Sequence, residues 1–260
     1  MAPPLLELDR VTVSFDGFKA LNELSFTLPA GGVKVLIGPN GSGKSTVLDT
    51  IIGKVQPVSG KVVFRGKEIT NVPEHRIAQM GIRRKFQAPG VLGNLTVQDN
   101  LAVAVRKTKG LLGNLRIGLT ASEKDRVEEV LEIVGLEEKR SMLASQLSHG
   151  EKQWLEIGMV VGSEPELLLL DEPTAGMTTQ ESAQTATLIK RLADRHTVLV
   201  IDHDMAFVEQ LDAMISVLYA GRLLTQGDMR QIRNDPEVVS VYLGRPQIER
   251  RVAMESHATA

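Results

Sequence analysis

The stretch Gly38-Pro39-Asn40-Gly41-Ser42-Gly43-Lys44-Ser45-Thr46, set between the mostly apolar run 33–37 and a helix-forming segment, constrains this chain more than any other feature. The pattern Gly-x-x-x-x-Gly-Lys-Ser describes a loop whose backbone N–H groups turn inward around a phosphate, and it works only where a buried strand leads into a helix. The glycines permit the turn, and the helix N-terminus adds partial positive charge. Lys44 is suited to bridge the β- and γ-phosphates, the Ser45 hydroxyl to hold Mg²⁺, and Thr46 to touch the α-phosphate. Alone, the motif leaves GTPases, kinases and many ATPases open.

The rest of the sequence supplies the strands and helices that such a loop requires. Alternation from Leu5 to Leu28, broken by Asp16-Gly17, predicts antiparallel strands joined by turns. The loop's helix is expected from about Gly43 to Gly53, followed by a strand pair, 61–64 and 67–69, and a helix opened by Pro73. From residue 88 to about Gly162 helical periodicity takes over, with Thr120-x-x-Glu123 as a capping box for a helix ending at Gly135. The basic, glycine-containing run 107–118 reads as a solvated loop. Strands and helices then alternate: 167–171, 179–195, 197–201, a helix from Asp204, and 214–218, which implies a largely parallel sheet. A hairpin at Gly221-Arg222 and two short helices, the second ending at Tyr242-Leu243-Gly244, precede a polar tail, 245–260.

The expected architecture is α/β: a P-loop NTPase with a mostly parallel core sheet, an antiparallel β-subdomain and an inserted helical subdomain. Residues 5–244 form one domain, with 5–87 and 164–244 as catalytic core and β-subdomain and 88–163 as the helical insertion.

A second chemical signal is Leu167-Leu168-Leu169-Leu170-Asp171-Glu172, an apolar strand ending in two acids. Ligands gather at the carboxyl ends of parallel strands, so Asp171 is expected beside the phosphate loop as a water-mediated Mg²⁺ ligand. Glu172 is displaced toward the γ-phosphate, where it could polarise an attacking water as general base. Adjacent acids after a strand also serve as helix caps.

With Leu147-Ser148-His149-Gly150-Glu151 lying about 20 residues before the acid pair, the chain resembles the ABC-transporter ATPases over nearly its whole length. Their signature reads Leu-Ser-Gly-Gly-Gln. The resemblance implies that Gln87 is the Q-loop glutamine, sensing metal and γ-phosphate, and that residues 83–86 and 88–95 face a transmembrane partner. It makes His203 the switch histidine that holds Glu172 and water in line, and Phe15 the ring that stacks on adenine, although an aromatic at a strand end is often core. Ser148 opens a helix, so its hydroxyl and the following N–H groups, Gly150 among them, can form an anion site. One phosphate loop and one separate anion site let two cassettes close head-to-tail over two ATP molecules.

Two features depart from the family pattern. His149 and Glu151 replace a glycine and the glutamine of the signature, and Ala175-Gly176-Met177-Thr178 replaces Ser-Ala-Leu-Asp, so cross-talk between sites is less assured than ATP binding. The segments 84–87, 94–97, 147–150, 154–159, 175–178 and 241–244 are similar to ATPases of urea and short-chain-amide importers, which neighbour those of branched-chain amino acid importers. The resemblance implies ATP and Mg²⁺ as cofactors, separate permease subunits, a homodimer or a heterodimer with a second ABC ATPase, and an indirect link to a solute-binding protein. It places the chain at the cytoplasmic face of a membrane.

Composition limits the rivals. No cysteine is present, which removes disulfides, thiolate metal sites and cysteine nucleophiles. A net charge of −2 and 3% aromatic residues leave neither a broad basic field nor stacking platforms, and argue against nucleic acid. No apolar run approaches the ~20 residues of a membrane span, and no signal peptide opens the chain. Long coiled coils, a second cassette or a basic groove would favour a soluble ABC ATPase outside transport, and none is visible in the sequence. A binding-only cassette is motivated by His149 and Thr178, and opposed by Lys44, Asp171, Glu172 and His203.

Overall fold

The computed structural model describes residues 3–85, 90–106 and 118–241. In chain order the principal elements are β1 (Leu6–Phe15), β2 (Phe18–Leu28), β3 (Val33–Ile37), α1 (Lys44–Ile51), β4 (Ser59–Phe64), β5 (Lys67–Glu68), α2 (Glu74–Gln79), β6 (Ile82–Lys85) and α3 (Val97–Val105). They continue with α4 (Ala121–Val134), α5 (His149–Val161), β7 (Leu167–Asp171), α6 (Thr179–Ala193), β8 (Thr197–Ile201), α7 (Met205–Leu211), β9 (Met214–Tyr219), β10 (Arg222–Gly227) and α8 (Met229–Asn234). Two compact units result. One comprises the chain up to Ala30, Lys34–Pro73 and the chain from His203; the other comprises Gly31–Val33 and Glu74–Asp202.

The first unit holds an antiparallel sheet in the order β2-β1-β4-β5. Strands β1 and β2 meet at a two-residue turn, Asp16-Gly17, with φ of 48° and 88°. That turn matches strand twist and closes the hairpin with Phe15 opposite Phe18. Its buried face is aliphatic and aromatic: Leu6, Leu8, Leu24, Phe26, Leu28, Val62 and Phe64. In the same unit β3 pairs in parallel with β9, which pairs antiparallel with β10. Val35, Leu36 and Ile37 are buried, as the apolar run required.

In the second unit β6, β7 and β8 run parallel, with Arg84 opposite Leu169 and Asp171 opposite Ile201. Leu167 to Leu170 are all fully buried, because a parallel strand is covered on both faces. Helix α4 begins with the expected capping box, Thr120 accepting from the Glu123 N–H and Glu123 from the Thr120 N–H. It ends at Gly135, which is left-handed at φ 68°. Helices α3, α4 and α5 bury Leu101, Val130, Val134 and Leu155. Strand β6 was not expected as a strand. Its sequence, Ile-Arg-Arg-Lys, has neither alternation nor an apolar run.

Candidate functional site

The phosphate loop lies wholly in the first unit, between β3 and α1. Gly43 is the N-cap of α1 with φ 106°, and a Cβ there would lie 2.6 Å from the Ala20 carbonyl, so no other residue fits. The loop is braced by backbone bonds: Ser42 N–H to Pro39 O (3.1 Å), Gly221 N–H to Ser42 O (2.9 Å) and Asn22 N–H to Gly221 O (2.9 Å).

Three observations fit a polyphosphate here. Among the described residues no side chain caps α1, and no acidic residue occupies its first turn, so the helix start offers N–H groups and partial positive charge to an anion. The Lys44 ammonium is folded back over the loop, donating to Gly38 O (2.7 Å) and Pro39 O (3.1 Å). Ser42 Oγ is buried with no hydrogen-bond partner among the described residues. Asn40, Gly41 and Ser45 are exposed, and Pro39 and Thr46 half-buried. Phe15, at 48% exposure, is not a core residue, and its neighbour Phe18 is more exposed still.

The acid pair ends β7 in the second unit. Asp171 is buried, and Arg84 Nη2 donates to its Oδ2 at 2.7 Å. Glu172 is left-handed at φ 45°, a conformation disfavoured for a side chain with a Cβ. Its N–H donates to Ile201 O at 2.8 Å, and Thr174 Oγ1 donates to buried Asp202 at 3.0 Å. The turn after β7 is therefore tied to the end of β8. His203 follows Asp202 directly and is exposed.

Arg84 and Lys85 do not form an outward face. Strand alternation sends them to opposite sides of β6: Arg84 to Asp171, and Lys85 to Glu156 (3.3 Å) and Gln153 on α5. Both cations are buried and paired, so the expectation that residues 83–86 meet a partner does not hold for these two. Gln87, the run 107–117, the segment 242–244 and the tail 245–260 lie outside the described residues.

Ser148 is the N-cap of α5, as expected, in a reciprocal capping box with Glu151. Lys139 pairs with Glu151, and this pairing together with the Ser148 N–H offsets the cost of burial and holds the Glu151 carboxyl below its ordinary value. The turn also meets residues that the sequence reading did not single out: Ser148 Oγ donates to Glu181 Oε1 at 3.3 Å. The signal for Glu181 was present, since Thr178-x-x-Glu181 repeats the capping-box spacing of Thr120-x-x-Glu123. Arg84 carried no comparable local signal.

For a divalent cation, the Ser45 hydroxyl and the Asp171 carboxylate are hard oxygen donors of the kind Mg²⁺ takes alongside water and phosphate. Among the described residues no group of three or more His, Cys, Asp or Glu side chains could hold a metal.

A strand-loop-helix phosphate site, an acid pair closing a parallel strand and a serine-capped signature helix define an ATP-binding cassette, and the ABC transporter family matches residues 21–175. The chain belongs to that family and is an ABC-type transport ATPase. It is similar to the high-affinity branched-chain amino acid transport ATP-binding protein LivG of Escherichia coli K12, 36% identical over 94% of this chain and 99% of LivG. BraF of Pseudomonas aeruginosa, with the same description, is also 36% identical over the same shares of the two chains. Among solved structures, an ATP-binding cassette of an ABC transporter, MJ1267, superposes with a TM-score of 0.82 at 29% identity, covering 93% of this chain and 99% of that one.

Proposed function

We propose that this chain is the ATP-hydrolysing subunit of an importer, working with separate permease subunits at the cytoplasmic face of a membrane. No helix among the described residues is long and apolar enough to cross a bilayer, and in this reading the permease subunits hold the chain at the membrane. The observation that carries the nucleotide half of this reading is Lys44 folded onto Gly38 O and Pro39 O above an uncapped helix.

In this reading residues 38–46 cradle the phosphates, and Lys44 exchanges its carbonyl partners for phosphate oxygens. Phe15 stacks on the base. Ser45, Asp171 and Gln87 hold Mg²⁺, which supplies charge neutralisation at the phosphates. Glu172 accepts a proton from the attacking water, and His203 orients Glu172 and that water. Ser148 and Gly150 of a facing cassette complete the site, whether that cassette is a second copy or a related subunit.

The solute is proposed to be a branched-chain amino acid, supported by the 36% identity with LivG and BraF over almost their whole length. A second reading, urea or a short-chain amide, is favoured by the segments Ser148-His149-Gly150, 154–159 and Ala175-Gly176-Met177-Thr178, which resemble that branch. Uptake of labelled leucine and labelled urea by a strain lacking this protein separates the two. Loss of leucine uptake supports the first, loss of urea uptake alone replaces it with the second, and loss of neither rejects both.

A further inference from the structure

The two departures from the family pattern lie against each other in the second unit. His149 Nε2 is 3.0 Å from Ala175 O and 3.5 Å from Gln153 Nε2; in the tautomer with the proton on Nε2 the ring donates to the Ala175 carbonyl. Next to it, the Glu181 side chain of α6 reaches the start of α5. One oxygen, Oε2, serves its own helix, accepting from the Thr178 N–H (3.0 Å) and hydroxyl (2.9 Å). The other, Oε1, accepts from Ser148 Oγ at 3.3 Å. Gly150 is fitted to this carboxylate: a Cβ at Gly150 would lie 2.5 Å from Oε1. Hydrogen bonds from Thr178 above all, and from Ser148 and the Gly150 N–H, hold the Glu181 carboxyl below its ordinary value and so keep it anionic.

Ser148 has one hydroxyl proton, and here it is directed at Glu181; its lone pair accepts from the Glu151 N–H at 3.2 Å. The groups proposed to receive a nucleotide phosphate from a facing cassette are therefore already engaged by an anion of the same chain. We propose that Glu181 is an internal stand-in for that phosphate, closing the signature turn in cis until the phosphate of a facing cassette displaces it. The contact with Ala175 holds the turn in the same arrangement. Because a carboxylate and a phosphate repel and compete for the same donors, Glu181 lowers the affinity with which two cassettes close over ATP.

This inference rests on the head-to-tail closure proposed above, and the experiment separates the two. Glu172→Gln is expected to bind ATP without turnover and to form a stable dimer, measured by analytical ultracentrifugation over a series of ATP concentrations. Glu181→Gln is then added; glutamine still serves a capping box, so α6 keeps its start. A carboxylate at a helix N-terminus contributes a factor of about 2 to 5, and two signature turns are released per dimer, so the association constant should rise about 4- to 25-fold. Glu138→Gln, which removes an exposed charge elsewhere, should leave it unchanged. If the Glu172→Gln protein dimerises and Glu181→Gln leaves association equal or weaker, the stand-in role is overturned. If Glu172→Gln never dimerises with ATP, head-to-tail closure fails and the inference falls with it. As a second measurement, exchange of the Gly150 amide in the monomer should quicken in Glu181→Ala; unchanged exchange contradicts the contact.

Discussion

Arg84 is the residue whose removal should be felt most. Its guanidinium meets Asp171 at 2.7 Å, and the two side chains are only 8% and 3% exposed. A pair so deeply buried has given up most of its hydration, so deleting one partner leaves the other's charge without the ion pair that compensates its burial. Such a deletion costs about 3–5 kcal/mol. The surface pair Arg140–Glu128, at 39% and 49% exposure, is worth at most about 1 kcal/mol. Arg84→Met should therefore lower unfolding stability by about 3–5 kcal/mol, or about 6–20 °C in Tm for a chain of this size, against at most about 1 kcal/mol for Arg140→Met. Trp154, the only tryptophan, donates to Thr185 at 2.9 Å, and its fluorescence follows urea unfolding of the second unit. Asp171→Asn in the Arg84→Met background removes both charges and should cost less than the sum of the single changes. A loss from Arg84→Met no larger than from Arg140→Met would refute the argument.

Three further outcomes are expected. Lys44→Ala should weaken ATP binding about ten- to a hundredfold, the worth of a charge-assisted hydrogen bond, measured by equilibrium titration with a fluorescent analogue. Glu172→Gln should reduce turnover about 10²- to 10⁴-fold while ATP affinity is kept, which steady-state hydrolysis and binding together report. Burial lowers the His196 pKa below its ordinary 6.5, with Nδ1 against the Pro165 carbonyl. The unfolded chain then binds the extra proton first, so stability is full above pH 6.5 and declines as pH falls below it. Melting at pH 7.5 and 5.5 should show that decline, and His196→Gln should flatten it.

The phosphate loop, the acid pair and the helix starts at Thr120 and Ser148 were legible because each is a local pattern whose meaning depends on residues three to five apart. The apolar runs fixed β3, β7 and β8 for a similar reason, since burial on both faces leaves no room for polar side chains. Strand β6 was not legible. Its Arg84 and Lys85 are buried only because Asp171 and Glu156, some 70 to 90 residues away, neutralise them, and no window of the sequence contains both partners. The contact of Glu181 with Ser148 has the same character: the capping box is local, but the second use of the carboxylate is tertiary.

Thr178 bears on this most directly. Aspartate, the residue that the family's Ser-Ala-Leu-Asp pattern has at this place, also caps helices, so the change to threonine is not needed to start α6. What differs is the hydrogen bond on offer. Thr178 Oγ1 accepts from the Glu181 N–H at 3.2 Å and donates to Glu181 Oε2 at 2.9 Å. An ionised aspartate can only accept, and would set a second carboxylate against the first. Threonine at 178 thus permits Glu181 to stay charged beside the α5 N-terminus, while histidine at 149, unlike the glycine it replaces, has a ring that can reach Ala175 O. The two substitutions, which separately look like losses from two motifs, act on one junction between the signature turn and the loop before α6.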